Sequence, residues 1–146
     1  MIAIERAQAD DRAAIEDLLA ANDLPREGLE LAAATAVVAR DEGGAQGIVG
    51  SAAIEPYGSV GLLRSVCVAP HLRGTGLGRR LVAEAEAVAA SNGVDELFLL
   101  TETAGEWFPR LGYERVPRET APALLKASPE FTTACPESAQ LFRKRI

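Results

Sequence analysis

The chain has 146 residues, 48% of them hydrophobic and 25% charged, and carries a formal net charge of -6. That length suits a single domain, 1–146, with a core that needs no disulfide or metal staple, and the acidic balance argues against a general nucleic-acid binder, which requires a basic face. Two distant cysteines, Cys67 and Cys135, no CxxC pair and a single histidine exclude a zinc cluster, so no metal is expected.

The N-terminus, MIAIERAQADDR, has no apolar stretch of secretory type. IAIERA alternates as a short strand, and Asp10 and Asp11 precede RAAIEDLLAAN, in which Ile15, Leu18 and Leu19 share one helical face. Pro25 opens REGLELAAA, expected as one or two helical turns. The longest nearly apolar run, LELAAATAVVA, contains Glu30 and Thr35 and falls short of the roughly 18 residues of a membrane span. A cytoplasmic protein with no membrane partner is the expectation. TAVVAR and GIVGSAAIE are β-rich runs separated by DEGGAQ, a hairpin-type turn, and after a second turn, PYGS, the run VGLLRSVCVA completes an antiparallel meander. From Gly76, residues Leu77, Leu81, Ala85, Val88 and Ala89 recur at helical spacing until Asn92-Gly93 stops them. ELFLLT is apolar enough for a strand buried on both faces. AGEWFPRLG predicts a short helix interrupted by Pro109, YERV a strand, PRETAPALLKASPEFTTACPES a connection with a helix at its start, and QLFRKRI a closing strand.

Residues 66–80, VCVAPHLRGTGLGRR, place a strand end, three glycines in five positions and a helix start in succession. The backbone N–H groups at such a helix start have no helical partners, and the helix dipole favours negative charge there. Arg73, Arg79 and Arg80 put cations where the dipole alone would prefer carboxylates, which points to a polyanionic ligand. A Walker loop would need GxxxxGK[ST], and a dinucleotide fold GxGxxG after a first βαβ strand; neither is present.

The pattern Arg73-x-x-Gly76-x-Gly78 after V-x-V-x-P resembles the coenzyme A pyrophosphate loop of the GNAT acetyltransferase superfamily, and the element order resembles that fold from residue 2 to 145. The fold class implied is α/β (mixed α+β): one mostly antiparallel mixed sheet flanked by helices, with a strand-loop-helix pyrophosphate site. The resemblance further implies that VCVA and LFLLT line a gap holding pantetheine. Val66, Cys67 and Val68 would face the acyl group, an N–H near Cys67 and Val68 polarising the thioester carbonyl. Amides of Arg73, Gly74, Thr75, Gly76, Leu77, Gly78 and Arg79 would hold the pyrophosphate. The implied cosubstrate is acetyl-CoA and the partner a small-molecule amine; edge strands of this architecture could also pair two copies.

Where many GNAT members have an asparagine this chain has Thr101, and where many have a sulfur-protonating tyrosine it has Phe108, which has no proton to give. Water supported by Thr101 or Thr103 would replace it, with Tyr113 read as a packed strand residue. Glu55 is a candidate base, set against a solvated turn residue before Pro56; Glu102 a carboxylate feeding a proton-accepting water, set against a first-turn helix residue; Ser65 a water ligand, set against a filler of the pleat. Cys67 lacks a nearby histidine and reads as a small buried hydrophobe rather than a nucleophile. His71 is expected in an exposed loop, and Trp107 in the core or beside the cleft. LRSVCVAPHLRGTGLGRRL, LLTETAGEWFPRLGYERVPRE and SPEFTTACPESAQLFRKRI together resemble a GNAT branch encoded in bacterial arsenic-resistance clusters, implying an amino-acid-like organoarsenical or its phosphinic analogue as acceptor. Arg64 is then either a carboxylate partner or a surface arginine. Against the enzyme reading stands a CoA-binding sensor without catalysis.

Overall fold

The computed structural model describes residues 2–26, 29, 35–43, 47–129, 131 and 138–146. Seven strands form one sheet: β1 (Ile2–Arg6), β2 (Val37–Asp41), β3 (Ile48–Tyr57), β4 (Val60–Val68), β5 (Glu96–Thr101), β6 (Glu114–Val116) and β7 (Gln140–Arg145). Their order is β1-β2-β3-β4-β5-β7-β6. Every neighbouring pair is antiparallel except β4–β5, which is parallel and needs a crossover. Helix α2 (Leu77–Ser91) supplies it.

Period-two alternation sends successive strand residues to opposite faces. Val37, Ala52, Ile54, Leu63, Leu97 and Leu99 therefore pack against the Leu81, Ala85, Val88 and Ala89 stripe of α2. On the other face, Val38, Ala53 and Cys67 meet Ile15 and Leu19 of α1 (Arg12–Ala21). Leu62, Phe98 and Leu141 meet Leu125 of α3 (Ala123–Lys126) on that same face. Both layers cover the sheet, and β5, between β4 and β7, has buried apolar residues on each face, as ELFLLT predicts.

The meander, the helix after Gly76 and the closing strand stand where the sequence put them. The short helix expected over AGEWFPRLG is a 3-10 turn, Phe108–Leu111, closed by Gly112 at φ 95°. Tyr113 precedes β6 rather than opening it, and is buried. Most of REGLELAAA, half of the DEGGAQ turn and Cys135 lie outside the described residues. Among the described residues no helix is long and apolar enough to cross a membrane, and no group of metal-ligating side chains is found.

Candidate functional site

Strands β4 and β5 run side by side only while Val60, Gly61 and Leu62 pair with Glu96, Leu97 and Phe98. Beyond that point they part. The opening is a cavity of about 510 Å³ walled by Leu63–Val68 of β4, Leu99–Thr101 of β5, and Trp107 and Phe108 below. Asn22 to Pro25, after α1, and Arg73 line it as well.

Two features of β4 shape the inner wall. Between the pairs Ser51↔Cys67 and Ala53↔Arg64, β4 has two residues where β3 has one, a β-bulge. Ser65 sits there at φ 57°, in the left-handed region. Just beyond, the Ala69 N–H is spent on Val49 O at 2.8 Å. Alternation along an antiparallel ladder then turns the N–H and C=O of Val68 to the opposite edge, toward the gap. The carbonyl of Val68 indeed accepts from Arg73 Nε at 3.2 Å.

The loop itself separates the work of its glycines. Gly74 and Gly76 have φ 81° and 87°, with open space where a Cβ would be, so they are required for the turn and leave the backbone approachable. Gly78 is required for packing, since a Cβ there would lie 3.0 Å from the Trp107 ring. Thr75 Oγ1 donates to Leu72 O at 2.6 Å and tightens the turn. Helix α2 has no side-chain cap and no acidic residue in its first turn, so the amides of Leu77, Gly78 and Arg79 meet the field of exposed Arg73, Arg79 and Arg80. Arg73 Nη2 also donates to Asn22 Oδ1 at 2.5 Å, tying the loop to the end of α1.

The structure thus brings Val66, Cys67, Val68, Arg73, Ser65, Thr101 and Glu102 to one cavity, with Gly74 to Arg79 following directly from its Arg73 end. Thr101 Oγ1 accepts the N–H groups of Thr103 and Ala104, at 3.3 and 3.0 Å, and so caps the bend after β5. Glu102 is exposed and accepts from Ser138 Oγ at 3.0 Å. Cys67 is buried, its Sγ 3.9 Å from Leu18 O, and burial pushes its thiol up despite the opposing charge of Arg73. It is a core residue of the α1 face. Phe108 is buried edge-on between Trp107 and Tyr113, with centroids 4.9 and 5.7 Å away. His71 is exposed, as expected.

Two expectations need correction. Glu55 is no solvated turn residue and no part of the cavity wall; it is 0% exposed inside β3. Its Oε2 accepts from Arg64 Nη1 at 2.7 Å, and its Oε1 from Tyr57 Oη at 2.5 Å and Ser128 Oγ at 2.7 Å. Arg64 is no surface arginine: its side chain is 0% exposed, with Nε on Ser65 Oγ at 3.2 Å. The acceptors and donors Ser51, Tyr57 and Ser128, and the cavity residues Asn22 and Asp23, escape the sequence reading. Glu55 and Tyr57, two apart on a strand, do share a face; Ser128 is 73 positions away from Glu55 and gives no local sign.

A model of the acetyltransferase (GNAT) domain matches residues 32–115, more than half of the chain. An uncharacterized N-acetyltransferase of Chlorobaculum tepidum is 40% identical over 76 residues, covering 51% of this chain and 48% of that protein. An amino-acid acetyltransferase of Ralstonia nicotianae is 41% identical over 68 residues, covering 45% of this chain and 15% of that protein. The chain therefore spans at most about half the length of these curated relatives. A Mycobacterium tuberculosis protein solved in complex with CoA and NLQ superposes with a TM-score of 0.80 at 21% identity, covering 99% of each chain. That likeness is one of fold.

Proposed function

Since the chain belongs to the GNAT acetyltransferase domain family, we propose that residues 1–146 act as one catalytic unit that transfers the acetyl group of acetyl-CoA to the amine of a small molecule. The observation that carries this reading is the parting of β4 from β5 directly above an uncapped, arginine-flanked helix start. A pyrophosphate fits the helix start, and the thin, amide-bearing pantetheine arm with its thioester fits the slot between Val66–Val68 and Leu99–Thr101.

The reaction needs three things. The acceptor arrives protonated at neutral pH and must lose a proton before its nitrogen attacks the carbonyl carbon. Glu102, on the cavity wall, takes that proton through water. The Val68 N–H, aimed at the gap, stabilises the oxygen as charge builds on it. When the C–S bond breaks, the thiolate leaves into the open cavity and is protonated by water, which Thr101 can support because its hydroxyl accepts in the cap and keeps its own proton, whereas buried Phe108 has no proton to give.

An amino-acid-like acceptor is supported by the matched amino-acid acetyltransferase, and the wording of residues 63–81 and of the tail supports an organoarsenical or phosphinic amino acid within that class. Thiol release from acetyl-CoA should appear with such amines, rise with pH through one apparent pKa, and fall in Glu102→Gln with acetyl-CoA affinity kept. A second reading, a CoA sensor, is favoured by Phe108. Wild-type protein that binds acetyl-CoA yet releases no thiol with any primary amine of a broad panel would make it the better one.

A further inference from the structure

Resting on the acetyltransferase reading, we propose that Ser51, Glu55 and Arg64 are positioning residues for the β4 bulge, and that through it they aim the amide that polarises the thioester carbonyl. The reaction above uses none of the three. All are buried, Ser51 at 1%, Glu55 at 0% and Arg64 at 4% exposure.

Ser65 is the strained point of the bulge. A non-glycine residue at φ 57° costs energy and persists only where its surroundings over-determine it. Here two side chains grip the residue from different sides. Ser51 Oγ donates to its carbonyl at 2.7 Å, and Arg64 Nε donates to its hydroxyl at 3.2 Å. A guanidinium can hold a fixed position only if its charge is matched, and Glu55 matches it at 2.7 Å. Glu55 is in turn held by Tyr57 Oη and Ser128 Oγ. A continuous line of hydrogen bonds thus runs from the segment after α3, across the α1/α3 face of the sheet, to the bulge. The residues immediately following, Val66 to Val68, line the cavity, so their direction depends on how the bulge is set. A small rotation there would turn the amide away from the acyl oxygen without touching the pyrophosphate loop.

This assignment also removes Glu55 from proton transfer. Both of its oxygens already accept hydrogen bonds, and it has no exposure to a substrate or to the cavity water.

The test is isotope-edited infrared spectroscopy of carbonyl-labelled acetyl-CoA bound without amine, because a hydrogen bond to the carbonyl lowers its stretch and a merely structural role would not move it. Wild type should show the stretch below that of free acetyl-CoA. In Ser51→Ala and Arg64→Lys it should move back toward the free value, with kcat down about tenfold or more and calorimetric affinity for acetyl-CoA within about threefold. Ser51→Ala removes no charge and decides alone if Arg64→Lys does not fold. Glu55→Gln should lower kcat while leaving the midpoint of the pH–rate profile in place; loss of the limb would instead make Glu55 the base and overturn the assignment. Variants that bind acetyl-CoA with an unaltered wild-type shift overturn the positioning role alone and leave the acetyltransferase reading standing. Wild type that does not bind acetyl-CoA overturns that reading, and the inference with it.

Discussion

Tyr57 and Tyr113 are the chain's two tyrosines, and each phenol is held protonated by a carboxylate neighbour. Burial, then the Glu55 carboxylate, pushes Tyr57 up to about 12. Burial, then Glu86, pushes Tyr113 up as well, its hydroxyl 2.8 Å from Glu86 Oε2. Because the folded values exceed the ordinary 10.0, the stabilisation is complete below pH 10 and is lost as pH rises through the folded value. Phenolate absorbance should therefore be nearly absent from the folded protein at pH 10 and half developed there in denaturant. Tyr57→Phe should flatten the fall of stability between about pH 10 and 12, as read by urea titrations. At this scale the sequence misleads at Glu55, because Pro56 suggests that the strand stops. It does not stop: β2 accompanies β3 only as far as Ala52, so among the described residues no strand on that side needs the missing N–H of Pro56, and pairing with β4 continues to Tyr57↔Val60.

The hairpin of β3 and β4 carries the buried pair, and its stability depends on both charges being present. Glu55→Gln leaves the Arg64 guanidinium without its counter-charge in a dry interior, and should destabilise the protein by about 3–5 kcal/mol. Adding Arg64→Met to that variant should recover part of the loss, since glutamine still accepts from Tyr57 and Ser128 and no charge remains to be solvated; urea unfolding of both measures it. Elements built on periodicity alone were legible. Leu81, Ala85, Val88 and Ala89 announce α2 because one face of it is buried against the sheet. Phe108–Leu111 was less so: four residues with a proline in second place and a left-handed Gly112 behind them can close a 3-10 turn but cannot propagate a helix.

For the whole molecule, ligand binding and folding are linked. Acetyl-CoA at a hundred times its Kd should add about 2.7 kcal/mol to stability, seen as a higher Tm. Gly76→Glu should abolish that shift by placing a carboxylate among the amides of the helix start. Gly76→Ala separates charge from strain: at φ 87° it should lower the Tm of the free protein yet keep the ligand-induced rise. The global layout was legible as far as RGTGLG and the order of strands and helices carried it, because glycines, arginines and strand length are local properties. What joins the two apolar clusters of the α1/α3 face was not. Glu55, Arg64 and Ser128 are brought together by the register of β3 on β4 and by the path of the chain after α3, and neither is written in any short stretch.

The short junction of β4 and β5 gives the sheet the mechanics of two plates on a hinge. One plate is β1 to β4, the other β5 to β7, and only residues 60–62 and 96–98 stitch them along the ladder. Bending about that line opens or narrows the slot at little cost in hydrogen bonds, while bending within β1 to β4, or between β5 and β7, breaks a longer ladder. A molecule wedged into the slot therefore acts as a stiffener for both plates at once, and amide exchange should slow across strands that it never touches.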